Sequence, residues 1–81
     1  MKRRIELYGR LRDAGLGDHV VVELSPGATA RDALSALRAA LGRRAAQLNG
    51  CALATDDEVL GPAEKILSRG RLAALPPVCG G

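Results

Sequence analysis

The sequence predicts an α+β roll in which one helix packs across one face of a single mixed sheet. Two stretches near the start alternate apolar and polar side chains, a later stretch repeats apolar side chains at helical spacing, and further strand patterns follow it. The predicted order is therefore β-β-α-β-β, with no internal repeat and no linker. In such a roll we expect the first and last strands to be neighbours.

A period of two predicts the first two strands. Apolar side chains recur at every second position in residues 4–8 and again in residues 19–24. This alternation is typical of strands that bury one face. Glycines at 9, 15 and 17 indicate a turn between the two stretches, so we expect the strands to pair as in a hairpin.

A helix is predicted to begin near Ala30. Thr29 and Asp32 resemble a capping box, in which each side chain accepts a hydrogen bond from the other residue's backbone N–H. Apolar side chains then recur at helical spacing through residues 30–41. Gly42 follows the last of them and predicts the end of the helix.

The second half of the chain predicts two short strands. Residues 43–48 are expected to extend the helix in frayed form. The turn dipeptide Asn49-Gly50 then leads into a strand over residues 51–54. A last strand is predicted over residues 71–75, where the following prolines must end it.

Composition indicates one small globular domain. The chain has 81 residues and a mass of 8.4 kDa, with 47% apolar and 26% charged side chains. A chain of this size buries only about 60–65% of its unfolded surface, so a self-contained active site is not expected. No apolar run approaches the roughly 20 residues that cross a bilayer. The basic start lacks an apolar segment behind it, so we expect a cytoplasmic protein that is neither secreted nor membrane-bound.

The charged and titratable residues do not predict a nucleic-acid or metal site. The net charge is +3, but the basic residues are scattered and Tyr8 is the only aromatic residue. His19 has no companion ligand at metal-binding spacing, so no metal site is expected. Asp56, Asp57 and Glu58 are interpreted as a solvated acidic turn, with a contact to a basic partner as the alternative.

The last six residues are the most informative part of the sequence. They are Pro76, Pro77, Val78, Cys79, Gly80 and Gly81. The prolines fix φ and direct the chain away from the domain, and the glycines leave its end narrow enough to thread a channel that any Cβ would block. Residues 76–81 are therefore predicted to project as a tail from a domain formed by residues 1–75, with a frayed terminus as the alternative.

This ending resembles the PPVxGG ending of the small subunits of molybdopterin synthase, which belong to the ubiquitin-like β-grasp sulfur-carrier family. The order β-β-α-β-β agrees with a ubiquitin-like β-grasp roll. The resemblance extends over the whole chain, although the tail is its diagnostic part. Three internal segments also match the family: Leu11-Arg12-Asp13, Asn49-Gly50 and Ser68-Arg69-Gly70.

The resemblance implies a sulfur-carrier mechanism at Gly81. An ATP-dependent, E1-like adenylyltransferase would activate the Gly81 carboxylate, because a carboxylate is a poor electrophile until its oxygen becomes a leaving group. A persulfide donor would then yield a thiocarboxylate, which would give its sulfur to a pterin precursor in the large synthase subunit. The implied complex contains two small and two large subunits. The chain itself would bind no cofactor and would not be catalytic alone.

Tyr8 and Leu75 are the predicted residues of the partner interface, as apolar anchors beside the root of the tail. Filling of the core is the alternative for both side chains. The family usually carries aromatic residues in its first and last strands, whereas this chain offers Tyr8 alone. The partner surface predicted from the sequence is therefore less well defined than the tail.

The two cysteines are predicted to be thiols rather than a disulfide, because nothing else indicates export. Cys51 is interpreted as a small buried apolar residue. Cys79 lies close enough to Gly81 to suggest capture of the activated carboxyl group. A small side chain suffices at that position in the family, so we expect serine to replace Cys79 without loss of sulfur transfer.

Three other functions stay open at the level of the sequence. Carriers that end in Gly-Gly also serve thiamin thiazole synthesis, cysteine synthesis and tRNA thiolation, although Pro76, Pro77 and Val78 favour the pterin branch. A ubiquitin-like modifier would use the same adenylate on Gly81 and differ in that a lysine nitrogen attacks it. An interaction module with an inert tail is the third alternative.

Overall fold

The strands and helices follow the predicted order, with one additional short strand. The structure is a computed structural model, and it describes residues 1–9, 11–12, 17–67 and 69–76. Within these ranges the elements are β1 Lys2–Leu7, β2 His19–Glu23, α1 Ala30–Leu41, a 3-10 helix Gly42–Leu48, β3 Ala52–Ala54, β4 Val59–Leu60 and β5 Leu72–Leu75.

The strands form one mixed sheet in the order β2-β1-β5-β3-β4. β1 pairs antiparallel with β2 and parallel with β5, while β5 and β4 each pair antiparallel with β3. The sheet thus confirms the predicted hairpin of the first two strands and the predicted contact of the first and last strands. β5 lies in the centre, so its end, where the predicted tail begins, is flanked by strands on both sides.

Two differences from the predicted strands concern the start of β1 and the additional strand β4. β1 starts at Lys2, earlier than the alternation indicated, because the Met1 amine donates to the Leu24 carbonyl at 2.6 Å and Leu24 N donates to the Met1 carbonyl at 2.7 Å. Strand β4, Val59–Leu60, was not predicted. Two residues are too few to show a period of two, so the pairing of β4 with β3 depends on the fold.

Helix α1 has the predicted bounds, Ala30–Leu41. Thr29 Oγ1 accepts from Asp32 N at 3.3 Å, and Asp32 Oδ2 accepts from Thr29 N at 2.9 Å, which confirms the capping box. The residues after Gly42 form the 3-10 helix instead of a frayed extension. Leu48 anchors it in the core at 2% exposure, and the Arg38 guanidinium donates to the Ala45 carbonyl at 3.5 Å.

The core lies between α1 and one face of the sheet, which we call the inner face. Ile5, Leu7, Leu53 and Leu72 point from the strands towards the helix residues Ala33 and Leu37. Burying one such leucine or isoleucine contributes about 1.5–3 kcal/mol. The opposite, outer face of the sheet is not covered by α1. No helix in the described part of the chain is long and apolar enough to span a membrane.

Candidate functional site at the root of the tail

The described part of the predicted tail is Pro76, which follows the end of β5 at Leu75, and we call this place the root of the tail. Pro77, Val78, Cys79, Gly80 and Gly81 were predicted to project and to thread a partner, and they lie outside the described residues. Pro76 therefore fixes the point from which the predicted tail starts.

Pro76 packs against the backbone of Gly9, the second residue after β1. A Cβ built on Gly9 would lie 3.1 Å from Pro76 Cγ and 3.7 Å from Pro76 Cδ. The φ angle of Gly9 is +59°, a conformation that side chains disfavour. Gly9 thus allows both the turn after β1 and a close approach of the proline ring.

Tyr8 and Leu75 lie at the same end of the sheet as this contact. The last parallel pair of β1 and β5 joins Leu7 to Ala74, and each predicted interface residue comes directly after one member of that pair. Both side chains are half-buried. Neither belongs to the fully buried core, so each leaves part of its surface available beside Pro76.

A polar network on the outer face holds the Tyr8 side chain. The Tyr8 hydroxyl donates to Glu6 Oε1 at 2.9 Å, and Arg71 Nε lies 2.9 Å from Glu6 Oε2. Arg71 Nη1 is also 3.6 Å from Asp56 Oδ1. The Arg12 guanidinium lies 5.9 Å from the centre of the Tyr8 ring, within the range of a cation–π contact.

The same network raises the pKa of Tyr8. The largest cause is the hydrogen bond from its hydroxyl to the Glu6 carboxylate, followed by desolvation and by the negative charge of Glu6. Removing the phenolic proton would break that hydrogen bond and bring two negative charges together. The neutral phenol is therefore the form that this site stabilises.

The outer face beside Leu75 is formed by small or aliphatic side chains. Leu75 is paired with Ala52, and Ala73 is paired with Ala54 at the next position on the same face. Val59, at the edge of the sheet, is 60% exposed. We call these five residues the outer apolar strip, and it runs from the edge of the sheet to the root of the tail.

Gly9, Glu6 and Arg71 also belong to this site, although none of them was predicted from the sequence. Glu6 and Tyr8 are two residues apart on one strand, a spacing that places both side chains on the same face and that was available as a signal. Arg71 reaches Glu6 only because β5 lies next to β1. The contact of Gly9 with Pro76 also forms only because β5 lies next to β1.

The remaining candidate residues lie away from the root of the tail. His19 is on the surface of β2, as predicted, and its Nδ1 is 2.7 Å from Asp18 Oδ1, which lowers the pKa of Asp18. Cys51 is half-buried against the core rather than fully buried. Within residues 1–9, 11–12, 17–67 and 69–76, no group of three metal-ligating side chains is present.

The predicted acidic turn is also found, and it is built around Thr55. Thr55 Oγ1 accepts hydrogen bonds from the N–H groups of Asp57 and Glu58, both at 3.3 Å. The side chains of both acidic residues are exposed. Asp56 differs from them because it pairs with Arg71.

Comparisons with known proteins identify the fold. No family model and no curated protein sequence matches the chain. SAMP1 from Haloferax volcanii is 24% identical and superposes with a TM-score of 0.77 over 100% of both chains. A second structure, of H. volcanii small archaeal modifier protein 1, is 23% identical with a TM-score of 0.75, over 95% of this chain and 98% of that one.

A third solved structure comes from Pyrococcus furiosus and is described as molybdopterin converting factor, subunit 1. It is 19% identical, with a TM-score of 0.68 over 96% of this chain and 99% of that one. At these identities the likeness shows the fold. The chain thus has a ubiquitin-like β-grasp fold, as the sequence predicted, with a mixed five-stranded sheet and one α-helix in its described residues.

Proposed function

We propose that the protein is a sulfur carrier, which holds sulfur as a thiocarboxylate on Gly81 and donates it to a pterin precursor in the active site of a large molybdopterin synthase subunit. The observation that carries the proposal is the packing of Pro76 on Gly9, at the end of the central strand. It gives the PPVCGG sequence a fixed starting point on the domain. The likeness to a molybdopterin converting factor subunit supports the pterin pathway.

Charging of the carrier requires two partners and a thiol. In the active site of an E1-like adenylyltransferase, the Gly81 carboxylate attacks ATP, and an acyl-adenylate forms with release of pyrophosphate. The terminal sulfur of a persulfide donor attacks the acyl carbon, and AMP leaves. A thiol then reduces the acyl disulfide to the thiocarboxylate, with a disulfide as the other product. These steps use reduced thiols, which suits the cytoplasm.

Donation of the sulfur returns the carrier to its starting state. The thiocarboxylate sulfur bonds to a carbon of the pterin precursor and displaces an oxygen substituent from that carbon. Water then cleaves the acyl–sulfur bond, which restores the Gly81 carboxylate and leaves the sulfur on the precursor. Two such transfers, in a complex of two small and two large subunits, supply the two sulfur atoms of a dithiolene. The acid–base chemistry belongs to the large subunit, and ATP is used only by the activating partner.

The partner surface in this proposal is the root of the tail, with Tyr8 and Leu75 as its apolar anchors. We expect Leu75→Asp to abolish binding of the large subunit, because a carboxylate would enter the outer apolar strip. Val21→Asp is the matched control, since Val21 is 54% exposed on the distant strand β2. Binding is measured by calorimetry on variants whose circular dichroism is unchanged. Intact binding by a folded Leu75→Asp chain would exclude this surface.

The chemical test is the intact mass of the protein after incubation with ATP, a persulfide donor, a reducing thiol and the E1-like enzyme of the pterin pathway. We expect the mass change of one oxygen replaced by sulfur, and its reversal when the large subunit and the pterin precursor are added. The proposal requires Gly81 to be the C-terminal residue, which the same spectrum reports. Deleting Gly81 should abolish the change, whereas Cys79→Ser should retain it.

The likeness to small archaeal modifier protein 1 favours a second candidate function, covalent modification of other proteins. In that case a lysine amine attacks the Gly81 adenylate, AMP leaves, and an isopeptide bond forms. Cell extracts that contain an N-terminally tagged chain would then show conjugates of high molecular mass, which disappear when Gly81 is deleted. If conjugates form and the mass change that requires the sulfur donor does not occur, the protein is a modifier and not a sulfur carrier.

A further inference from the structure

A cavity of about 490 Å³ lies beside the start of β5, at the opposite end of that strand from Pro76. Its volume is within the range of small-molecule sites. We call it the Arg3 pocket, and the lining residues used below are Arg3, Asp57, Glu58, Lys65, Leu67 and Arg69. The proposed sulfur-carrier function does not use this pocket.

Arg3 differs from the other charged residues of the pocket, because it is buried and pairs with no carboxylate of the described residues. It belongs to the inner-face series of β1 and is only 9% exposed. Its Nη2 donates to the Gly70 carbonyl at 2.9 Å, but its Nε is buried and has no hydrogen-bond partner. Arg3 forms no ion pair with any described residue. A buried guanidinium without a carboxylate is unfavourable, so an anion that enters the pocket would be stabilised.

The other charged groups of the pocket restrict the kind of ligand that can carry this anion. They are three positive and four negative side chains, among them Lys65, Arg69, Asp57 and Glu58. These acidic side chains would repel a ligand that carries several negative charges, such as a polyphosphate. They favour a ligand in which a positive group accompanies the carboxylate.

The apolar contribution comes from Leu67. Its side chain is 72% exposed and lines the cavity, although it is a large aliphatic residue. Covering it with an aliphatic group of a ligand would remove that surface from water. The pocket therefore combines a buried guanidinium, acidic side chains and an exposed leucine.

We propose that the Arg3 pocket binds a small zwitterion of the size of a dipeptide, with its carboxylate near Arg3, its ammonium group near Asp57 and Glu58, and an aliphatic side chain against Leu67. In this proposal, the guanidinium of Arg3 pairs with the carboxylate of the ligand. The proposal is one of binding only, and it assigns no chemical step to the lining residues.

The test is a titration of the full-length, nitrogen-15-labelled chain with glycyl-leucine, followed by nuclear magnetic resonance. We expect saturable shifts of the backbone amides of Arg3, Gly70 and Leu72, and none at Gly9. Glycyl-leucine amide lacks the carboxylate and should bind at least tenfold more weakly, as removal of a charge partner predicts. The N-acetylated peptide, which lacks the ammonium group, should also bind more weakly.

Variants of the chain locate the interaction on Arg3. Arg3→Met should abolish the shifts, whereas Arg4→Met, on the exposed outer face of the same strand, should leave them unchanged. The peptide analogues use the unmodified chain, so they decide the question even if Arg3→Met does not fold. Absence of saturable shifts, equal binding of the amidated peptide, or unchanged binding by a folded Arg3→Met chain would each overturn the proposal.

Discussion

Two arginines that line one pocket, Arg3 and Arg71, have opposite relations to their surroundings. The side chain of Arg71 is 58% exposed and contacts two carboxylates, whereas Arg3 is 9% exposed and contacts none among the described residues. If burial alone decided the pairing, Arg3 would have the carboxylate partners and Arg71 would have none, because a buried charge gains more from a partner.

Strand register explains the difference. Glu6 is paired with Ala73, and Arg71 lies two residues before Ala73, so Glu6 and Arg71 share the outer face. Arg3 lies on the inner face with the core side chains. The outer network therefore stabilises local structure around Tyr8, while Arg3 has no carboxylate partner among the described residues.

The outer network around Tyr8 and the Arg3 pocket share strand β5. Truncation of the buried leucine of that strand should therefore destabilise both. Leu72 is 1% exposed and lies opposite Ile5. Leu72→Ala is expected to lower the free energy of unfolding by about 2–5 kcal/mol, through lost burial and the cavity left behind. Leu67→Ala, at an exposed leucine, is the matched control and should change it by less than about 0.5 kcal/mol. Urea denaturation measures both, and equal losses would contradict the role of β5.

The root of the tail can be separated from the rest of the outer face at Gly9. Gly9→Ala is expected to lower the free energy of unfolding by about 1–3 kcal/mol, since alanine disfavours a positive φ and its Cβ would press on Pro76. Gly27 also has a positive φ, of +82°, but a Cβ at this position would meet no atom within 4 Å.

Gly27→Ala therefore carries the backbone cost without the contact, and it is the control for Gly9→Ala. The difference between the two variants, measured by thermal or urea unfolding, reports the contact with Pro76. If the two variants lost equal free energy of unfolding, the contact with Gly9 would not hold Pro76. The proposed fixed starting point of the tail would then be contradicted.

The contrast between the arginines predicts stability changes of opposite sign. Arg3→Met should raise the free energy of unfolding by about 1 kcal/mol, because it removes a buried charge that has no carboxylate partner. Arg71→Met should lower it by about 0.5 kcal/mol, as expected for an exposed ion pair. Both are measured in ligand-free protein at low salt. A loss of stability in Arg3→Met would show that the hydrogen bond to Gly70 outweighs the unpaired charge.

The smallest expected effect is on the titration of Tyr8. Glu6→Gln should lower the pKa of Tyr8 towards its ordinary value of 10.0, because the charged acceptor of the phenol is removed. Tyr8 is the only tyrosine and the chain has no tryptophan, so the ultraviolet absorbance of phenolate reports it alone. Glu23→Gln, on the distant strand β2, is the control and should leave the pKa unchanged.

The raised pKa of Tyr8 also determines the direction of a pH effect on stability. The folded protein holds the phenolic proton more tightly than the unfolded chain does. The interaction with Glu6 therefore contributes fully below about pH 10, and its contribution is lost as the pH rises through the folded-state pKa. Stability that was independent of Glu6 in this alkaline range would contradict the network.

Local sequence patterns determined the helix and most of the sheet. The capping box at Thr29 and Asp32 and the apolar spacing predicted the bounds of α1, because both signals operate within a few residues. Alternation predicted β1 and β2, and it placed Glu6 on the face opposite the core. β4 escaped prediction, since a two-residue strand is defined only by its partner.

The sequence by itself determined the fold class and the tail, PPVCGG, on which the sulfur-carrier proposal depends. Only the tertiary structure decided that Pro76 packs on Gly9, that Glu6 pairs with Arg71, and that Arg3 is buried with no carboxylate partner in the described part of the chain. The reason is physical: helix caps and strand alternation arise from neighbouring residues, whereas these contacts join positions far apart in the chain. They exist because β5 inserts between β1 and β3, and a local pattern carries no information about that register.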